Sequence, residues 1–125
     1  MKKILFLTVF ISSFCFSQTN TEIYVFDLIK IGDTIDLQNS INISNSKGYN
    51  SQPSFYDQNT VIFAASRNGK TDIALYDLKQ EHPRLSYISE TKNGGEYSPQ
   101  RIPNSKNISA VRLDEDGLQR FYSYK

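Results

Sequence analysis

Thr60-Val61-Ile62-Phe63-Ala64-Ala65-Ser66-Arg67-Asn68-Gly69-Lys70-Thr71-Asp72-Ile73-Ala74-Leu75-Tyr76-Asp77-Leu78 reads as two β-strands joined by a two-residue turn. Residues 60–66 are rich in β-formers and apolar on both alternating faces, the pattern of a strand covered by a neighbouring sheet on each side. Asn68-Gly69 can supply the two positive φ values of a type I′ turn, whose twist suits a hairpin. The chain returns through residues 71–78, and His82-Pro83 marks the next reversal. Leu85-Ser86-Tyr87-Ile88-Ser89 then reads as an outer, half-exposed strand. Pro53 is expected just ahead of the first strand, where a missing N–H costs little. Beyond the amino-terminal apolar run, no stretch carries apolar side chains at helical spacing.

Working outward from this unit, the same order of elements recurs. Thr21-Glu22-Ile23-Tyr24-Val25-Phe26-Asp27-Leu28 matches residues 71–78 at an offset of 50 (Thr21 against Thr71). Ile43-Ser44 and the following residues to Pro53 answer Ile88-Ser89 and the residues to Pro99, with the two prolines 46 positions apart. A weaker copy of the return strand is Gln119-Arg120-Phe121-Tyr122-Ser123-Tyr124, with Gly117 standing where Gly69 stood. Residues 38–49, rich in Asn and Ser, are expected to be a connecting loop holding one short strand over 41–44. A period in the high forties is that of a propeller blade of four short strands. The expected fold class is therefore all-β: a partial β-propeller of four-stranded antiparallel blades, with a half blade at 21–44, a full blade at 53–89 and an incomplete blade at 99–125.

The unit Gln52-Pro53-Ser54-Phe55, then residues 60–69, then Asp72-Ile73-Ala74-Leu75-Tyr76-Asp77-Leu78, resembles the WD40-like repeat of TolB-type β-propellers. That repeat runs from a proline and an aromatic residue through a polar turn to an apolar strand. A Ser-x-Arg-x-Gly-type hairpin follows, then Asp-Ile and a second apolar strand. Residues 53–78 carry the specific part of the match. Tyr56-Asp57-Gln58-Asn59 keeps only the aspartate of the family's Ser-Pro-Asp-Gly turn, and Leu113-Asp114-Glu115-Asp116-Gly117 replaces the last hairpin with one residue more. The resemblance implies a periplasmic or surface scaffold that binds partners through loops and a central tunnel.

At the amino terminus Met1-Lys2-Lys3 precedes the apolar run Ile4-Leu5-Phe6-Leu7-Thr8-Val9-Phe10-Ile11, and small and polar residues follow. This is the layout of a secretory signal peptide, with an apolar core too short for a permanent membrane anchor. The expected signal peptide is 1–17, cut after Ser17, leaving 18–125 as a periplasmic or secreted bacterial protein. Lipidation at Cys15 is the rival, but Phe14 stands where that cleavage wants a small residue. After such a cut no cysteine remains for a disulfide.

Charge and motif content exclude several classes. Of 14 Lys+Arg, removing Lys2 and Lys3 leaves 12 against 13 Asp+Glu, and no basic patch stands out, so nucleic acid is not an expected partner. Stable membrane insertion after signal cleavage is not expected either. His82 is the sole histidine and abuts Pro83 in a turn, and there is no Gly-x-Ser-x-Gly elbow, so no catalytic residue is assigned. Asp114-Glu115-Asp116-Gly117 lacks the ligand series of a calcium loop and reads as a solvated hairpin turn. No metal ligand and no cofactor is assigned. Asp27 and Asp77 are expected to accept from backbone N–H groups after their strands. Arg67, Arg101, Arg112 and Arg120 are open to two roles, pairing with carboxylates between blades or lining a binding surface. Asn42-Ile43-Ser44 and Asn107-Ile108-Ser109 fit the glycosylation pattern and are read as coincidence.

These readings lead to a non-enzymatic scaffold or binding module of the cell envelope that mediates protein–protein interaction, with its ligand-binding residues unknown. The alternative is the amino-terminal propeller piece of a prolyl-oligopeptidase-like serine peptidase. About two and a half repeats are too few to close a ring, so both end sheets are expected to keep an uncovered apolar face. Continuation in a longer gene product, or self-association through those faces, would cover them.

Overall fold

A computed structural model describes residues 20–125, and every regular element among them is a β-strand. The expected signal peptide, its Ser17 cut and the Cys15 alternative lie outside the described residues. β1 (Tyr24–Ile31) and β2 (Thr34–Asn42) form a two-stranded sheet. β3 (Asn50–Phe55), β4 (Thr60–Arg67), β5 (Lys70–Asp77) and β6 (Ser86–Tyr87) form a four-stranded sheet in chain order. β7 (Gly95–Arg101), β8 (Ile108–Leu113) and β9 (Gln119–Tyr124) form a three-stranded sheet. All pairings are antiparallel.

β4 is the centre of the core, with Val61, Ile62, Phe63, Ala64 and Ala65 all buried. Its side chains alternate between two covered faces. Val61, Phe63 and Ala65, with Ala74 of β5, join Ile23 and Ile43 of the first sheet in one apolar cluster, and Val25, Tyr76 and Leu78 pack against it. Ile62, Ala64 and Ile73 face the other way, toward the third sheet, whose β7 lies against β3, β4 and β5. The doubly apolar pattern of residues 60–66 thus reports a strand sandwiched between two other sheets.

The turns follow from backbone chemistry. Asn68 (φ 52°) and Gly69 (φ 76°) both take positive φ and close a two-residue turn between the paired Arg67 and Lys70. The β8–β9 hairpin is one residue longer: Asp114 N–H donates to Leu118 O, Gly117 N–H donates to Asp114 O, and Gly117 takes φ 78°. That is a three-residue loop with glycine in the left-handed position.

Three expectations need correction. Residues 38–40 are not loop and the short strand expected over 41–44 does not stand alone: 38–42 continue β2, which ends at Asn42 and pairs with β1 through a long hairpin turning at Gly32 and Asp33. The Asn- and Ser-rich composition concealed this strand because a bulge sits there. The register shifts between Val25 and Asp27 opposite Asn39, which takes φ 51°, a conformation asparagine tolerates. Pro53 does precede the strand over 60–66, but it lies inside a further strand, β3, at a bulge between Ser51 and Ser54 that leaves proline free of the ladder. Pro99 occupies the same place in β7, and the preceding Gln52 (φ 57°) and Ser98 (φ 51°) share a positive φ. Finally, the outer strand over 85–89 shrinks to Ser86–Tyr87; Ile88 still donates its N–H to Ile73 O, but the next bond to β5 is made by the Ser89 hydroxyl instead of the backbone, and the ladder ends there.

Candidate interaction surface

Two serines seat the sheet-to-sheet connections in the same way. Ser44 Oγ accepts from the Ile23 N–H at 2.9 Å and donates to Glu22, while Ile43 N–H donates to Ile23 O at 2.9 Å. In the second sheet, Ser89 Oγ accepts from Ile73 N–H at 2.8 Å, lies 3.4 Å from Asp72 Oδ1, and Ile88 N–H donates to Ile73 O at 2.9 Å. A serine is suited to this place because one hydroxyl both accepts and donates. β1 and β5 therefore hold equivalent positions in their sheets, with Ile23 corresponding to Ile73, Tyr24 to Ala74 and Phe26 to Tyr76.

Near the start of each following sheet a buried polar residue, Asn50 or Glu96, acts as an anchor, each three positions before the bulged proline. Asn50 Nδ2 donates to Thr21 O at 2.9 Å and to Ser46 O at 3.0 Å. Its counterpart Glu96 is fully buried and accepts from Ser89 Oγ at 3.1 Å, from Thr91 Oγ1 and from Tyr124 OH at 3.2 Å. Burial first, and then the Glu96 carboxylate, push the Tyr124 hydroxyl up to about 12. These hydroxyl contacts tie the second sheet to the third and are structural.

The four arginines lie within local networks. Arg67 pairs with Asp72 at 3.0 Å and Glu90 at 3.2 Å and stacks on Tyr87, 4.3 Å from the ring centre. Arg112 pairs with Asp114 at 2.6 Å and stacks on Tyr122. Arg120 pairs with Asp114 and Asp116 at 2.7 and 2.8 Å. Its guanidinium, and then the Leu118 N–H, hold Asp116 down at about 2. Among the described residues no carboxylate pairs with Arg101; it bonds to Tyr56 O at 3.2 Å and Ser105 O at 3.1 Å, bridging the second and third sheets. Carboxylate pairing thus describes three of the four, and those pairs form around hairpin turns and the Glu90 connection.

His82 is exposed in a bend. Asp77 accepts from Lys79 N–H at 2.9 Å just past its strand, as expected, but Asp27 lies mid-strand opposite Gln38 and accepts from the Asn39 side chain. β1 runs on to Ile31 whereas β5 ends at Asp77, so the sequence equivalence of the two aspartates does not extend to their roles. Among the described residues, no group of three or more His, Cys, Asp and Glu is placed to hold a metal ion.

What the molecule offers a partner is apolar surface at its two ends. The β1–β2 hairpin packs on the second sheet only through its root, at Ile23, Val25 and Ile43. Above it Tyr24, Phe26, Leu28 (70% exposed), Ile31, Ile35 (65%) and Leu37 are open to solvent. At the other end Phe121, the counterpart of fully buried Ile73, is 84% exposed. Where β1 approaches the second sheet, Ile23, Tyr24, Val25, Phe26 and Leu37 line an open groove of about 290 Å³ with Pro53, Ser54, Phe55 and Val61. Contiguous apolar surface of this kind marks interaction sites in soluble proteins. Comparison with family models, curated proteins and solved structures finds no match for the chain.

Sequence reasoning named the recurring Ile-Ser pairs but not the bonds of Ser44 and Ser89, and it missed Glu96 as an anchor. The signal for the serines was their recurrence beside the strand copies. The groove had no signal, because its walls come from strands distant in sequence.

Proposed function

We propose that the chain is an exported, non-enzymatic scaffold or binding module of the bacterial cell envelope, built from propeller-type repeat sheets similar to those of TolB-type proteins. The propeller reading is supported by the head-to-tail recurrence of the serine seats, of the buried first-strand anchors and of the bulged prolines. The observation that carries the binding role is the pair of exposed apolar end faces, one on the β1–β2 hairpin and one around Phe121. Burying such area is a principal driving force of protein association.

The test is site-specific photo-crosslinking in cells producing the full chain, with the reactive side chain at Ile35 or at Phe121. Mature protein beginning at Gln18 in the envelope or external fraction, with discrete crosslinks to one protein species, is the expected result. An unprocessed chain in the cytoplasm with no crosslink from either position would refute the reading.

A further inference from the structure

We propose that the free edge of β1, with the apolar groove beside it, is a strand-addition site for an uncharged extended segment of a partner protein, apolar at alternate positions. The proposal rests on the binding-module reading and gives that module a site and a mode.

The argument comes from the chain's own repetition. β1 and β5 are equivalent strands, seated by the same serine bonds, yet among the described residues β5 is paired on both sides while β1 is paired only with β2. The missing neighbour of β1 is the one that β4 supplies to β5. Ile23 directs both its N–H and its C=O toward Ser44 and Ile43, on the β2 side. Alternation along an antiparallel ladder then turns the N–H and C=O of Tyr24 outward to the free edge, followed by those of Phe26. In the second sheet the corresponding Ala74 is paired with Phe63 of β4, and Tyr76 with Val61.

The groove occupies the place of that absent strand. Its floor is Phe55, 62% exposed, and Val61, and its side wall is β1 itself. No lining residue carries a charge, so a charged side chain entering here would lose its water without gaining a partner. An entering strand would satisfy the edge groups of Tyr24 and Phe26 with backbone bonds and lay alternate apolar side chains on Phe55 and Val61. The register of β4 against β5 indicates which sequence suits the site. Small residues belong opposite Glu22 and Ile23, where β4 has Ala65 and Ala64, and larger apolar ones opposite Tyr24 to Phe26, where it has Phe63, Ile62 and Val61.

The probe is a fluorophore-labelled, terminally blocked peptide with the uncharged part of the β4 sequence, Thr60–Ser66, titrated into the full chain. Binding is read by anisotropy, and amide hydrogen exchange locates it. Saturable binding with new protection at Tyr24 and Phe26 is expected, with no protection gained at Phe121. Tyr24→Pro removes one edge N–H and, on the β2 side, only the long Asn42 Nδ2 contact to the Tyr24 hydroxyl, and should weaken binding about tenfold or more. Should that variant unfold, Phe55→Glu, a change on the exposed groove floor, should weaken binding comparably. Unchanged affinity in Phe55→Glu, or binding without protection at Tyr24 and Phe26, would overturn the site. Concentration-dependent protection of those amides in the chain alone would assign the edge to a second copy and overturn the partner-strand assignment. Crosslinks from Ile35 or Phe121 without peptide protection at β1 would refute strand addition and leave the binding-module reading standing.

Discussion

Replacing Ser89 with alanine tests the connection between the second and third sheets. The side chain is in the core, at 2% exposure of the residue, and Ile73 beneath it is fully buried. Without the hydroxyl, the Ile73 N–H loses its acceptor at 2.8 Å in a place water cannot reach. An orphaned buried donor of this kind costs about 1–3 kcal/mol. Glu96 also loses the donor at 3.1 Å, leaving Thr91 and Tyr124 to hold a buried carboxylate, which adds about 1 kcal/mol. The expected loss is therefore about 2–4 kcal/mol, a large part of the stability of a small domain. Urea unfolding followed by tyrosine fluorescence and far-ultraviolet circular dichroism measures it, since the chain has 8 Tyr and no Trp. Ser44→Ala is the internal comparison. It orphans the Ile23 N–H, but its acidic partner Glu22 is only half-buried, so it should cost less, about 1–2 kcal/mol. If Ser89→Ala unfolds within about 0.5 kcal/mol of the parent at an unchanged denaturant slope, the hydroxyl does not seat this connection and the reasoning fails.

Gly69→Val should cost about 1–2 kcal/mol purely through backbone strain, because φ is 76° and no atom lies within 4 Å of the added Cβ; an unchanged melting temperature would rule out the type I′ turn. Gly94→Ala should be worse, on the order of 3 kcal/mol, since at φ 111° its Cβ would also strike the Leu113 carbonyl; equal losses for the two variants in urea would contradict that contact. The Asp116 carboxyl should titrate near 2 by NMR instead of its ordinary 3.8. A depressed folded-state value means the Arg120 pairing contributes fully above 3.8 and is lost as pH falls through about 2, and a midpoint at the ordinary value would show that the pair does not persist in solution.

Residues 60–78 determined their own local structure. A strand apolar on both faces, an Asn-Gly turn and a return strand leave the chain one economical arrangement, and β4, its turn and β5 lie where those patterns put them. Recurrence of the return strand and of the Ile-Ser pair likewise located β1 and β9 and the matching places of Ser44 and Ser89. Such features are legible because they depend on near neighbours: alternation, turn φ values and the spacing of copies. The bulges at Asn39 and at Pro53 were not, since a bulge depends on how two strands must twist to meet.

Only the tertiary structure decided which apolar residues are core and which are surface. Ile73 and Phe121 occupy equivalent places in their strands and look alike in sequence, yet one is fully buried and the other 84% exposed. The difference is whether another sheet lies over that face, a fact no local pattern contains. The same holds for β1, whose sequence matches β5 but whose inner edge is unpaired among the described residues, so that a strand position filled in one sheet is a groove in the other. Burial and edge pairing are set by what the rest of the chain brings alongside, and alternation alone cannot encode it.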